Sequence, residues 1–171
     1  MEGMMAKILK HQIAAMPAAI GKRGGGLAGM HPADLLGTVQ KAALDRSGVA
    51  PEAIGQVIGG CVSQVGEQTF NIARLAWLSK GLPQDIAATT IDAQCGSSQQ
   101  ANHLVSAMVK AGQIDVGIAC GIEVMSHVGL GANVMNGPGF FQPQDWPWDS
   151  TPDQFTSAQR IAKNRGITRQ D

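Results

Sequence analysis

Three cysteines (Cys61, Cys95, Cys120) and four histidines (His11, His31, His103, His127) carry the thiol and imidazole chemistry this chain can offer near neutral pH. Cys95 differs from the others in its setting. Ala87-Ala88-Thr89-Thr90-Ile91 reads as a strand, Gln94-Cys95-Gly96-Ser97-Ser98 follows directly, and a helix then runs to about Lys110 with Gly112 as its stop. The small residues at 96–98 permit a sharp turn that lifts the sulfur beyond the sheet edge and over the free N–H groups of a helix start. A positive helix end favours thiolate over thiol. Two readings stand for Cys95 on this pattern: a covalent nucleophile, or a small structural thiol packed at a strand–helix junction.

The other candidates are weaker. Cys61 and Cys120 lie in apolar strands with no helix start behind them and read as buried structural thiols. His103 is eight residues beyond Cys95, about 12 Å along a helix axis, too far to be its base. His127 follows the end of an apolar strand and reads as a solvated loop histidine. Asp92 and Glu123 are single carboxylates near strand ends, suited to structural hydrogen bonding. An odd number of cysteines without ligand spacing excludes a disulfide framework and a zinc site, so no metal is expected. It also fits a reducing, cytoplasmic setting.

These residues need elements to position them. Pro32 to Ser47 reads as an amphipathic helix with Leu35, Leu36, Val39, Ala43 and Leu44 on one face and Gly48 as its stop. Val57-Ile58-Gly59-Gly60-Cys61-Val62 reads as a buried strand, Asn71 to Leu78 as a helix, and Ile114, Val116, Ile118 and Cys120 as a further strand. The helix after Cys95 turns Ala101, Leu104, Val105 and Met108 to the core. Helices alternating with short apolar strands predict an α/β fold with a mainly parallel sheet covered on both faces. Four prolines and four aromatics between Pro138 and Pro152 predict an irregular, ordered loop; Asp153 to Arg165 returns to helical spacing, and Thr168 to Asp171 has the pattern of a helix start.

Composition sets the outer limits. The 171 residues carry 13 basic and 13 acidic side chains, which excludes charge-driven nucleic-acid binding. Apolar residues make up 44% and charged ones 15%, which excludes a disordered chain. No apolar run is long enough to span a bilayer. The first 33 residues hold one acid, Glu2, but no hydroxyl residue precedes Thr38, which does not fit a transit peptide.

Asp92-Ala93-Gln94-Cys95-Gly96-Ser97-Ser98-Gln99-Gln100-Ala101 resembles the nucleophile segment of thiolases, the acetyl-CoA acetyltransferase family. The resemblance extends through His31-Pro32-Ala33-Asp34-Leu35-Leu36-Gly37, Ile58-Gly59-Gly60-Cys61-Val62, Gly66-Glu67-Gln68 with Asn71-Ile72-Ala73-Arg74, and Gly81-Leu82-Pro83. It continues through Ala111-Gly112-Gln113-Ile114-Asp115 and Cys120-Gly121-Ile122-Glu123-Val124-Met125-Ser126. Within the family the chain is most similar to bacterial thiolases of lipid or steroid side-chain breakdown. The resemblance implies a thiolase-like fold, here its first half plus the start of the loop domain. It divides the chain into an atypical segment 1–20, an α/β domain over 21–127, and the beginning of an inserted loop domain over 128–171.

By the same resemblance Cys95 takes an acyl group from a coenzyme A thioester, with its backbone N–H in the oxyanion hole. The substrates are acyl-CoA and coenzyme A, with no permanently bound cofactor, no nucleic acid and no membrane partner, and the intact protein is a homodimer or homotetramer. The family's Gly-His-Pro histidine, its second catalytic cysteine and its Asn-Glu-Ala-Phe segment do not occur in these 171 residues. The chain by itself is therefore expected to be nearly inactive as a thiolase. Where the family has an Arg-(Ser/Thr)-Pro turn, this chain has Pro17-Ala18-Ala19. Two alternatives stand beside the thiolase reading: a ketoacyl-synthase-like condensing enzyme, and a non-catalytic, thiolase-derived acyl-binding or interaction protein.

Overall fold

The computed structural model describes residues 21–22, 24–135 and 137–171; the segment 1–20 singled out above lies outside them. The first helix, α1, spans Pro32–Ser47. The His31 ring accepts the Ala33 N–H at its start, and Gly48 closes it in the left-handed conformation at φ 66°. Strand β1 (Gln56–Gly60) follows, then helix α2 (Ile72–Ser79), strand β2 (Ala88–Ile91), helix α3 (Ser97–Lys110), strand β3 (Gly117–Gly121) and a single-turn helix α4 (Ala132–Met135). The order across the sheet is β2-β1-β3, and both pairings are parallel.

Both faces of β1 are covered, which is why it reads as a continuous apolar run. Val57 points into a cluster of Leu44, Ile54, Trp77, Ile86 and Ile118, on the side of α1 and α2. Ile58, one residue on, points the other way into Ala101, Val105 and Ala119, beneath α3. Trp77 is fully buried and donates its indole N–H to the Pro83 carbonyl at 2.8 Å, so its one polar group is satisfied.

Several details differ from the sequence pattern. Leu104, expected in the core, is 36% exposed, because the inward stripe of α3 runs through Ala101, Val105 and Val109. Strand β3 begins at Gly117, so Ile114 and Val116 precede it. Gln40 lies on the buried face of α1, where its amide donates to the Ala73 carbonyl at 3.2 Å. Helix α4 has no counterpart in the sequence pattern.

The sheet's closest contact is with the start of α3. Gly60 and Gly121 are paired in register, and a Cβ at Gly60 would sit 2.4 Å from the Ser97 carbonyl carbon and the Ser98 nitrogen. One at Gly121 would meet the Ser98 side chain. Only two adjacent residues without side chains let the first turn of α3 rest on the sheet.

Pro138–Asp171 forms a second compact unit. Its helix α5 (Gln154–Arg165) is capped by Asp153, whose carboxylate accepts the Thr156 N–H at 2.8 Å and the Thr156 hydroxyl at 2.9 Å. These bonds hold Asp153 below the ordinary carboxylate range. Residues 138–153 contain no regular element, and the Phe140 and Phe141 rings lie 4.5 Å apart. At Thr168–Asp171 the Asp171 carboxylate accepts the Thr168 N–H at 2.8 Å and the Thr168 hydroxyl at 2.9 Å, while the Thr168 oxygen accepts the Gln170 N–H at 3.3 Å.

Gly60→Ala should destabilise the protein by about 1–3 kcal/mol in urea denaturation, because the clash is with backbone. Gly129→Ala, where the added carbon meets nothing within 4 Å, should change stability by less than about 0.5 kcal/mol. Equal effects at the two positions would contradict the close-approach argument.

Candidate active site

Because the three strands run parallel, the segments leaving their carboxyl ends share one edge of the sheet, where open α/β sheets bind ligands. Cys61 follows β1, Asp92 follows β2, and Ile122 and Glu123 follow β3. Glu123 ties two of these segments together. Its carboxylate accepts the Val62 N–H at 2.9 Å, the Ser63 N–H at 3.3 Å and the Gln68 amide at 2.8 Å. Gln68, wholly buried, also donates to the Ser63 carbonyl and accepts the Val124 N–H at 2.7 Å. Asn71 does the same work beside β2: its amide donates to the Ala88 carbonyl at 2.8 Å, and its oxygen accepts the Thr90 hydroxyl at 2.7 Å.

The sequence pattern does not mark Gln68 and Asn71 as site-building residues. The available signal was weak: two amide side chains shortly before an apolar helix.

Cys95 sits in the turn between β2 and α3. The Asp92 carboxylate accepts the Gln94 N–H at 2.7 Å, and the Gly96 N–H returns to the Ala93 carbonyl at 3.1 Å. Gln94 adopts φ 53°, a left-handed backbone conformation that costs a non-glycine residue about 1–3 kcal/mol. The turn leaves Cys95 exposed, whereas Cys61 is buried and Cys120 partly buried. Among the described residues, no protein acceptor takes the Cys95 N–H.

The other two thiols are held protonated. Burial pushes Cys61 up to about 12, helped by the nearby carboxylates of Glu123 and Asp92. Burial pushes Cys120 up to about 11, partly offset by a hydrogen bond from the Gln40 amide. A thiol in that range is almost entirely un-ionised at neutral pH and a poor nucleophile.

His127 lies exposed in the loop after β3, as its sequence context suggests, but both of its ring nitrogens are engaged. Its Nδ1 lies 2.6 Å from a Glu67 carboxylate oxygen and its Nε2 lies 2.6 Å from the Ala28 carbonyl oxygen. Both partners are acceptors, so making both bonds requires a proton on each ring nitrogen, the imidazolium form. The pairing raises His127 above its ordinary 6.5, the Glu67 hydrogen bond being the main cause, and lowers Glu67 below its ordinary 4.5. An imidazolium clasped on both sides has no lone pair to offer as a base. His103 lies exposed on α3.

Among the described residues, no group of three or more His, Cys, Asp or Glu side chains could hold a metal ion. Among the same residues, no helix is long and apolar enough to cross a membrane.

A family model described as "Thiolase, N-terminal domain" matches residues 12–171. The chain is 38% identical over 168 residues to a steroid 3-ketoacyl-CoA thiolase of Mycobacterium tuberculosis, covering 93% of this chain and 41% of that protein. It is 33% identical over 164 residues to the peroxisomal 3-ketoacyl-CoA thiolase 5 of Arabidopsis thaliana, covering 93% of this chain and 35% of that one. Its structure is similar to the crystal structure of the Bacillus anthracis acetyl-CoA acetyltransferase, with a TM-score of 0.65 and 26% identity over 87% of this chain and 40% of that chain. The chain thus spans well under half the length of these relatives.

The clasp sets a pH window for the Gly-rich segment that carries Ala28. The part due to His127 is complete below its unfolded value near 6.5 and is lost as pH rises through the higher folded value. The part due to Glu67 is present above 4.5 and is lost as pH falls through the lower folded value. An NMR titration should give His127 a midpoint above 6.5, and Glu67→Gln should bring that midpoint down. An unchanged midpoint in the variant would show that the ion pair does not form.

Proposed function

The chain belongs to the thiolase family, and from that premise we propose that Cys95 is the nucleophile of an acyl-CoA acyltransferase, accepting an acyl group from a coenzyme A thioester. The observation that carries this reading is the contrast among the cysteines: Cys95 alone is exposed, at the strand–helix turn on the ligand-binding edge, while burial keeps Cys61 and Cys120 protonated.

The chemistry is two-step covalent catalysis. In the thiolytic direction the Cys95 thiolate attacks the 3-keto carbon of a 3-ketoacyl-CoA, and the carbonyl electron pair moves onto oxygen. Collapse breaks the C2–C3 bond, and the electron pair leaves with C2 as the enolate of acetyl-CoA, which is then protonated. The thiolate of a second coenzyme A takes the acyl group and frees Cys95. In the condensing direction the first donor is acyl-CoA, coenzyme A leaves as the thiolate, and the enolate of acetyl-CoA takes the acyl group.

Each step passes through a tetrahedral oxyanion bound to Cys95. The Cys95 N–H, unclaimed by protein acceptors among the described residues, is a donor for that charge. One such donor is worth about 10² to 10³ in rate. Proton transfer at the substrate α-carbon calls on groups other than His127, which is clasped as an imidazolium, and His103, which lies along α3.

The reading includes a homodimer or homotetramer in a cytoplasmic setting. Supporting the oligomer, Phe70 is 86% exposed immediately before Asn71, which is bonded to β2, an outer strand of the described sheet.

Limiting iodoacetamide followed by peptide mapping should label Cys95 ahead of Cys61 and Cys120. Incubation with acetyl-CoA or acetoacetyl-CoA should leave an acyl group on the Cys95 peptide that hydroxylamine releases, and Cys95→Ser should abolish it. Equal alkylation of the three thiols in folded protein, or acylation that survives Cys95→Ser, would overturn the assignment.

A further inference from the structure

Ser97 is buried at 4% exposure, yet its hydroxyl is fully employed within the turn that presents Cys95. It accepts the Ala93 N–H at 2.9 Å and donates to the Gln94 carbonyl at 2.5 Å. The Ser97 N–H reaches the same Gln94 carbonyl at 3.0 Å. That carbonyl is therefore held toward the first turn of α3 by two donors from one residue.

The carbonyl of Gln94 and the N–H of Cys95 belong to one peptide plane. The bond is trans, so the two groups point in opposite directions from a rigid unit. Fixing one fixes the other. With the Gln94 carbonyl drawn to Ser97, the Cys95 N–H is turned away from the helix, and among the described residues no acceptor claims it. The strained φ of 53° at Gln94 is the torsion that would relax if the carbonyl were released.

We infer that Ser97 is a positioning residue for acyl transfer: its buried hydroxyl aims the oxyanion-binding N–H of Cys95 by anchoring the Gln94–Cys95 peptide plane. The inference rests on the reading of Cys95 as the acyl-accepting nucleophile. It differs from a general helix-capping role in a specific way. A cap would affect every reaction of the cysteine alike. Aiming the N–H affects only reactions that place negative charge on a carbonyl oxygen.

The test compares wild type, Ser97→Ala and Ser97→Thr in two reactions at Cys95. Acylation by acetyl-CoA develops an oxyanion; alkylation by iodoacetamide displaces iodide at a saturated carbon and develops none there. Ser97→Ala should slow acylation at least tenfold, toward the roughly hundredfold cost of losing a donor, while alkylation changes by less than about threefold. Ser97→Thr, which keeps the hydroxyl, should restore acylation. Acylation at the wild-type rate in Ser97→Ala, or an equal fall in both reactions, would overturn the inference.

A second measurement does not depend on the chemistry. The backbone amide of Cys95 should show an NMR order parameter near 0.85, typical of rigid backbone, in wild type and Ser97→Thr, and a lower one in Ser97→Ala. An unchanged value in Ser97→Ala would overturn the positioning role even if acylation were affected. If wild type alkylates but never acylates, the acyl-transfer reading falls, and the amide measurement still decides whether Ser97 holds the peptide plane.

Discussion

The seating of the first turn of α3 on the backbone of Gly60 and Gly121 is the contact on which the rest of the molecule depends. A helix start placed this close to a parallel sheet brings its free N–H groups to the carboxyl edge, where the strand-end segments converge. Any side chain at Gly60 would push Ser97 and Ser98 outward and carry the 92–96 turn with them. The turn in turn demands a left-handed Gln94, a cost offset by the Asp92 carboxylate on one side and the Ser97 hydroxyl on the other. Glycine in two adjacent strands, strain at one residue and a buried serine are parts of one arrangement whose outcome is an exposed sulfur.

The edge is kept in shape by the amides of Gln68 and Asn71 and the carboxylate of Glu123. Gln68 is wholly buried, and its side chain joins the segments after β1 and β3 through Ser63, Glu123 and Val124. Asn71 and Thr90 join the start of α2 to β2, with the Thr90 hydroxyl also accepting the Ala73 N–H at 3.1 Å. Removing one member of such a set strands its partners without hydrogen bonds, which costs more than the bond itself contributes. Rigidity at the edge thus comes from polar groups, while the apolar clusters on either face of β1 hold the layers together.

Burial also separates the three thiols by reactivity. Cys61 packs with Ala33, Ile72 and Ile122 and feels two carboxylates; Cys120 lies in β3 beside Gln40. Both environments favour the neutral thiol and leave Cys95 as the exposed thiol of the three, although all three side chains are chemically identical. His127 shows the converse. Its charge is stabilised by Glu67 and the Ala28 carbonyl, and that same pairing removes it from proton transfer.

Much of this was legible in the sequence. The stop at Gly48, the strand–turn–helix around Cys95 and the parallel sheet follow from local rules: glycine ends helices, doubly covered strands are apolar throughout, and a helix start behind a strand exposes the residue between them. Long-range pairing was not legible, because it depends on which segments the fold brings together. Gln40, Gln68 and Asn71 look like ordinary polar residues until α1 is packed on α2 and the segments after β1 and β3 are joined. His127 looks unpartnered until Glu67 and Ala28, 60 and 99 residues away in the chain, close on it. Leu104 fits the helical period of α3 but lies beside the buried stripe of Ala101, Val105 and Val109, not within it. Periodicity and turn chemistry act over a few residues and are written in the chain. Close approach and hydrogen-bond partnership across the sheet were decided only when the tertiary structure set the distances.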